Sequence, residues 1–244
     1  MFTYEFYGSC IKLFKKSGYT FESFSSEKGD KKNIVYLRHD IDNDFLGAYN
    51  LAKIEKENGV KSIFFVQPNS DFYNMMSYEC MSLIKKIKNM GHEIGLHIDA
   101  TITKEYEELV DYTNSTFNYY SNYMPISKII SFHQPSSYIL NNNIVINGFI
   151  NTYEKRFFKD IKYFSDSNRR IFWSDSFYDS IEKGLSMQFL THPFWWAYFE
   201  QSIYEAYYNF SKKMDKYVDR SLKRNDGSLS KIASWLNNEL NEYK

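Results

Sequence analysis

Cysteine is nearly absent. The chain has two, Cys10 and Cys80, in 244 residues, and their spacing builds neither a metal knuckle nor a disulfide framework. That points to a reducing compartment. Proline (4) and glycine (10) are also scarce, and no Pro-, Gly- or Ser-rich linker, repeat or low-complexity segment divides the chain. No window approaches the roughly 18 consecutive apolar residues needed to span a membrane. The start, Met1-Phe2-Thr3-Tyr4-Glu5, lacks the basic region and apolar run of a signal peptide. A cytoplasmic protein with no membrane insertion is the expectation. Charge of one sign is missing too: 30 basic residues balance 30 acidic ones. A chain that tracks phosphate backbones carries a basic excess, so no nucleic-acid partner is expected. Mixed runs such as Lys53-Ile54-Glu55-Lys56-Glu57 read as solvated helix faces.

Aromatic residues are abundant at 19%, enough for a large core with rings left over to line a polar cleft. Short β-branched runs alternate with helical stripes. Residues 34–38, 62–66 and 93–97 read as strands, and 44–58, 78–90 and 104–121 as helices, the first two stopped by Gly59 and Gly91. Further strands are expected at 127–132, 148–152, 161–165 and 187–191. Strand and helix in alternation signal parallel βαβ units. About seven strands in a chain near the roughly 250 residues of an α/β barrel predict a closed or nearly closed barrel in one domain over 1–244. Two helical patterns in 198–242 would pack on its outside or cap it.

All five histidines fall in short motifs: Arg38-His39-Asp40-Ile41-Asp42, Gly91-His92-Glu93-Ile94-Gly95-Leu96-His97, Phe132-His133-Gln134-Pro135 and Leu190-Thr191-His192-Pro193. Chemistry in a parallel barrel sits beyond the C-terminal ends of the strands. Asp40, Asp42, His97, His133 and His192 all lie at such ends. Residues 40 and 42 face one side of a strand and can share a site; alternatively Asp42 or Asn43 caps the following helix. His92 starts its strand and reads as structural. His39 alternates with Asp40 and reads as a core or supporting residue.

In this order, with Tyr163-Phe164-Ser165-Asp166-Ser167 between the last two, the motifs resemble those of the polysaccharide deacetylases, the NodB-homology or family 4 carbohydrate esterases. The closer resemblance is to a branch with a His-Asp-Val-Asp first motif found with O-antigen and capsule biosynthesis. It covers residues 10–197. The resemblance implies a distorted (β/α)7 barrel, a divalent metal, zinc by preference, and removal of an acetyl or similar small acyl group from a sugar of a surface-polysaccharide precursor. It makes Asp40 the general base and His192 the general acid, with Asp166 orienting His192 and Asp175, in a second Ser-Asp-Ser, as its competitor. The family's metal aspartate falls at Ile41, so Asp42 is the substitute ligand. His97 matches the first ligand histidine, but Thr101 stands where the second belongs. Asp99 or His133 completes the set, with His133 preferred; His133 occupies the position of an orienting arginine and can instead play that part. Arg38, Trp173, Trp195 and Trp196 are candidate substrate contacts, the tryptophans as an aromatic floor for a sugar ring or else as core.

The chemistry needs such groups. A metal polarises the acyl carbonyl and lowers the pKa of water, a carboxylate takes the water's proton, and an imidazole protonates the leaving atom. Ile41 and Thr101 keep a second class open, a catalytically inactive sugar-binding protein on the same barrel. A third is hydrolysis of a non-sugar C–N bond.

Overall fold

Thr3, Asp44 and Ser77 each accept a hydrogen bond from a backbone N–H three residues on, at 3.0–3.3 Å, and a helix starts after each. These are α1 (Tyr4–Lys16), α2 (Phe45–Glu57) and α3 (Tyr78–Asn89). The cap of α2 is therefore Asp44, not Asp42 or Asn43. The computed structural model describes residues 1–26 and 32–225. Around those helices run β1 (Thr20–Phe21), β2 (Ile34–Ile41), β3 (Ile63–Val66) and β4 (Glu93–Asp99). Then follow α4 (Tyr106–Ser121), β5 (Ile129–His133), α5 (Ser137–Asn141), β6 (Ile150–Asn151), α6 (Lys155–Phe158), β7 (Lys162–Ser165), α7 (Asp175–Glu182) and β8 (Met187–Thr191).

The strands are parallel and neighbour one another in the order β6-β5-β4-β3-β2-β8-β7, with β1 beside β2. The last strands return to pair with the first, as in a barrel, and the seam lies between β6 and β7. This is an α/β fold, a distorted (β/α)7 barrel. β2 and β4 run to Ile41 and Asp99, beyond the expected ends, so Asp40 and His97 lie within their strands. Two short elements, β1 and α6, carry too few residues for a periodic signal.

Strand alternation sorts the side chains into two layers. The outer faces, with Val35, Leu37 and Ile41 of β2, pack into one large cluster with Ala48, Leu51 and Ala52 of α2. The inner faces, with Ile34 and Tyr36 of β2, Ile63 and Phe65 of β3, and Ile129 of β5, form a second, smaller cluster. Continuing up the inner column of β2 come Arg38 and Asp40. The apolar floor thus ends where the polar column begins.

The outer layer carries a buried ionic group. Glu55, on the run read as solvated, is fully buried. Its carboxylate accepts from Tyr7 Oη, from His39 Nε2 at 2.6 Å and from Ser62 Oγ at 2.5 Å. His92 Nδ1 lies 3.3 Å from it. Charge in the sequence marks a surface, but donors from α1, β2 and the segment before β3 make this carboxylate a buried cross-link.

The described residues divide after Glu200 into two compact units, and every strand among them belongs to the first. In the second, α8 (Ile203–Asn225) is a single helix. The second helical pattern expected before residue 242 lies outside the described residues.

Candidate active site

The inner column of β2 is built to hold a carboxylate. Arg38 is fully buried, donating from Nη1 to Thr152 Oγ1 and from Nη2 to Tyr153 Oη at 3.0 Å, with its guanidinium over the Tyr153 ring. Nη2 also lies 3.3 Å from Asp40 Oδ2. Burial alone would lower the Arg38 pKa, but Asp40, Tyr153 and Tyr163 together more than offset that. Ser131 Oγ donates to the same Oδ2 at 3.2 Å. Asp40 Oδ1 is buried and makes no hydrogen bond. One oxygen is thus clamped and the other left with free lone pairs.

Asp42, one residue past β2, stands among three imidazoles. Its Oδ1 is 3.2 Å from His97 Nε2 and 3.4 Å from His133 Nδ1, and its Oδ2 is 4.0 Å from His192 Nε2. Burial would raise its pKa, but the histidines hold the carboxyl far below the usual carboxylate range. Asp42, His97 and His133 offer one ligand atom each, all within 4.8 Å of one another. Two donors bound to a tetrahedral zinc at about 2.0–2.1 Å stand about 3.3 Å apart, close to both spacings from Oδ1. That oxygen is buried and has no hydrogen-bond partner. One carboxylate and two imidazoles around an unsatisfied oxygen fit a divalent ion of the zinc type.

His192 follows β8 directly. The β7–β8 register pairs Ser165 with Leu190 and brings Asp166 beside it. Asp166, fully buried, accepts from His192 Nδ1 at 2.6 Å, from the His192 backbone N–H at 2.9 Å and from Trp196 Nε1 at 2.8 Å. Burial opposes charge on His192, but Asp166, with Asp42 and Asp40, outweighs it and the pKa is pushed up to about 9. Nε2 is left facing the cavity. Gly47 makes room for this turn: a Cβ there would sit 2.8 Å from the Pro193 carbonyl oxygen.

Asp40, Asp42, His97, His133 and His192 therefore line one cavity of about 320 Å³, together with Trp195. Asp175 does not reach it, lying exposed in the first turn of α7. Asp99 is turned aside, accepting from Thr101 and Asn69. Three expected substrate contacts are elsewhere. Arg38 sits beneath Asp40, with no exposed surface. Trp173 packs edge-on against Phe2, Phe6 and Phe172, and Trp196 is buried against Asp166. Of the aromatic floor only Trp195 lines the cavity. Large rings and a charged group at strand ends met buried partners first. Ser131, Thr152 and Tyr153 were not expected at the site. Ser131 was open to inference, since it shares the inner face of β5 with His133; Thr152 and Tyr153 carry no motif. His39 and His92 lie outside the cavity, in the Glu55 network, as their places on the strands imply.

No family model matches the chain, and no curated protein matches it. Among solved structures it is similar to a family 4 carbohydrate esterase from Bacillus anthracis, at 18% identity and TM-score 0.43, over 87% of this chain and 86% of that one. It is also similar to a Streptococcus pyogenes deacetylase in complex with acetate, at 13% identity and TM-score 0.43, over 77% and 80%. A third is a family 4 pseudoenzyme from Bacillus anthracis, at 15% identity and TM-score 0.42, over 78% and 62%. Likenesses at this level assign neither a family nor an activity.

Proposed function

We propose that this chain is a metal-dependent hydrolase that removes an acetyl or similar small acyl group from a sugar of a surface-polysaccharide precursor. The observation that carries the proposal is the meeting, in one cavity, of a clamped carboxylate, an Asp-His-His ligand set and a carboxylate-backed imidazole. Asp42, His97 and His133 hold the metal, zinc by preference. When bound, it supplies Lewis acidity toward the acyl carbonyl and a lowered pKa for water.

The chain's own residues do the rest. Arg38 and Ser131 fix Asp40 through Oδ2, leaving Oδ1 to take a proton from water as the new C–O bond forms to the acyl carbon. His192 enters protonated at neutral pH, since its pKa stands near 9. As the C–N or C–O bond to the sugar breaks, Nε2 gives its proton to the leaving atom, and Asp166 stabilises the cation beforehand. Trp195 offers an apolar wall. Two free, buried thiols suit a cytoplasmic setting.

The test is metal content of the purified chain together with acetate release from a panel of N- and O-acetylated sugars. Bound zinc near one per chain and release abolished by Asp40→Asn or His192→Ala are the expected results, each substitution costing about 10²–10⁴-fold. A chain that takes up no added zinc and releases no acetate, yet binds sugars, would instead be the inactive sugar-binding protein, for which Ile41 and Thr101 speak.

A further inference from the structure

A second, larger cavity of about 530 Å³ adjoins the first. Pro135, Tyr153, Ser167 and Asn168 line both, so the two are chambers of one cleft. Each falls in the roughly 300–1,000 Å³ range of small-molecule sites. Rings of Phe158, Tyr163 and Phe164 form much of the larger chamber, with hydroxyls of Ser165 and Ser174 among them. Aromatic rings beside hydroxyl groups suit a sugar, which is apolar on its ring faces and polar at its rim.

The chambers differ in charge. Asp40 and Asp42 line the smaller one. No carboxylate lines the larger one, and Arg170 is its single cation. Arg170 is exposed and makes no side-chain hydrogen bond or ion pair among the described residues. It follows a turn in which Asn168 and Arg169 both hold φ of 56°, a left-handed conformation that residues other than glycine avoid. The turn deals out successive side chains: Asn168 to the wall between the chambers, Arg169 over the Phe2 ring, and Arg170 to the larger chamber.

We infer that the larger chamber is a second sugar subsite, and that Arg170 selects substrates whose unit there carries an anionic group, a carboxylate or a phosphate. The inference rests on the proposal that the smaller chamber receives an acylated sugar. A guanidinium recognises either anion through paired N–H donors.

The test is calorimetric binding to the full-length Asp40→Asn chain, so that no probe is turned over. The probes are an N-acetylglucosamine–glucuronic acid disaccharide, N-acetylglucosamine 1-phosphate and neutral N,N′-diacetylchitobiose. Arg170→Ala is expected to weaken an acidic probe about tenfold, or about 1.4 kcal/mol, and to leave the neutral one within about twofold. Arg170→Lys keeps part of the preference, and added salt erodes it. The acidic probe that shows the loss names the anion. Equal loss for acidic and neutral probes, no loss for either, or no binding of any probe overturns the inference. Failure of the hydrolase proposal looks different: Arg170-dependent binding, with no acetate released by the unmodified chain.

Discussion

Glu55 offers a clean separation of hydrogen bonding from charge. Its carboxylate accepts from Tyr7 of α1, His39 of β2 and Ser62 just before β3, all buried. Glu55→Leu leaves three buried donors unpaired, at about 1–3 kcal/mol each for groups that find no substitute. Some relaxation is available, because Ser62 Oγ and the Tyr7 hydroxyl can rotate. A net loss of about 3–5 kcal/mol follows, in line with removal of one partner from a buried ionic cluster. Glu55→Gln behaves differently. Its carbonyl oxygen can still accept from Tyr7 and His39, and its amide can donate toward Ser62 Oγ and His92 Nδ1. That nitrogen is an acceptor here: the Ser62 backbone N–H points at it from 3.2 Å, while Nε2 lies 3.1 Å from the Ala52 carbonyl and donates to it. Glu55→Gln should therefore lose only about 1–2 kcal/mol.

The pH dependence sharpens the contrast. Burial would raise the Glu55 pKa, but His39, His92 and Ser62 hold it below the usual carboxylate value. A group lowered in the folded state stabilises above its unfolded pKa, and that stability is lost as pH falls through the folded value. Burial also lowers His92, more than Glu55 raises it, so His92 too favours folding less as pH drops, beginning near its unfolded value of about 6.5. The contribution of His92 should decline below about pH 6.5 and that of Glu55 below about 4.5. Glu55→Gln keeps the first decline and loses Glu55's share of the second. Urea unfolding at pH 7.5, 5.5 and 4 measures this. For a unit of about 200 residues the Leu variant should melt roughly 6–20 °C lower. If Leu is no worse than Gln at pH 7.5, or if both variants steepen below pH 4.5 as the parent does, the network is not what it is drawn to be.

Other outcomes follow from the cavity. Gly47→Ala would gain up to about 1 kcal/mol of helix propensity in a free helix, but here it drives a methyl into the Pro193 carbonyl; acetate release should fall with little gain in melting temperature. Asp166→Asn should reduce release by about 10²-fold or more, whereas the same change at Asp175, exposed on α7, should leave it within twofold. Asp42→Ala and His133→Ala should each strip the metal, read by elemental analysis after gel filtration, while Asp99→Asn retains it. Metal retained in His133→Ala would return that histidine to the orienting role.

The inner column of β2 was legible because a period of two is a strong signal and its polar members cluster at one end. The Glu55 network was half legible. His39 was placed outside the site by alternation with Asp40. Its partner lies sixteen residues on, in a run of alternating charge that gives no sign which member turns inward. Asp166 and Asp175 sit in identical tripeptides, and what separates them is the β7–β8 register, a pairing of distant segments that local pattern does not encode. Arg38 was misplaced for a related reason. A guanidinium at a strand end looks like a ligand contact until its partners, Thr152 and Tyr153, arrive from more than a hundred residues away.

The same alternation explains how the barrel holds two polar clusters without merging them. His39 and Asp40 are adjacent on β2, and Thr191 and His192 are adjacent at the end of β8. β2 and β8 pair with His39 opposite Thr191. On the outer face those two side chains bond at 2.7 Å, and His39 is tied onward to Glu55. On the inner face their neighbours are the proposed base and acid. The outer pair thus ties together the same two strands that carry the inner one, while contributing no atom to the cavity. Weakening the outer network should show first as lost stability, and only when β2 and β8 part should it show as lost chemistry.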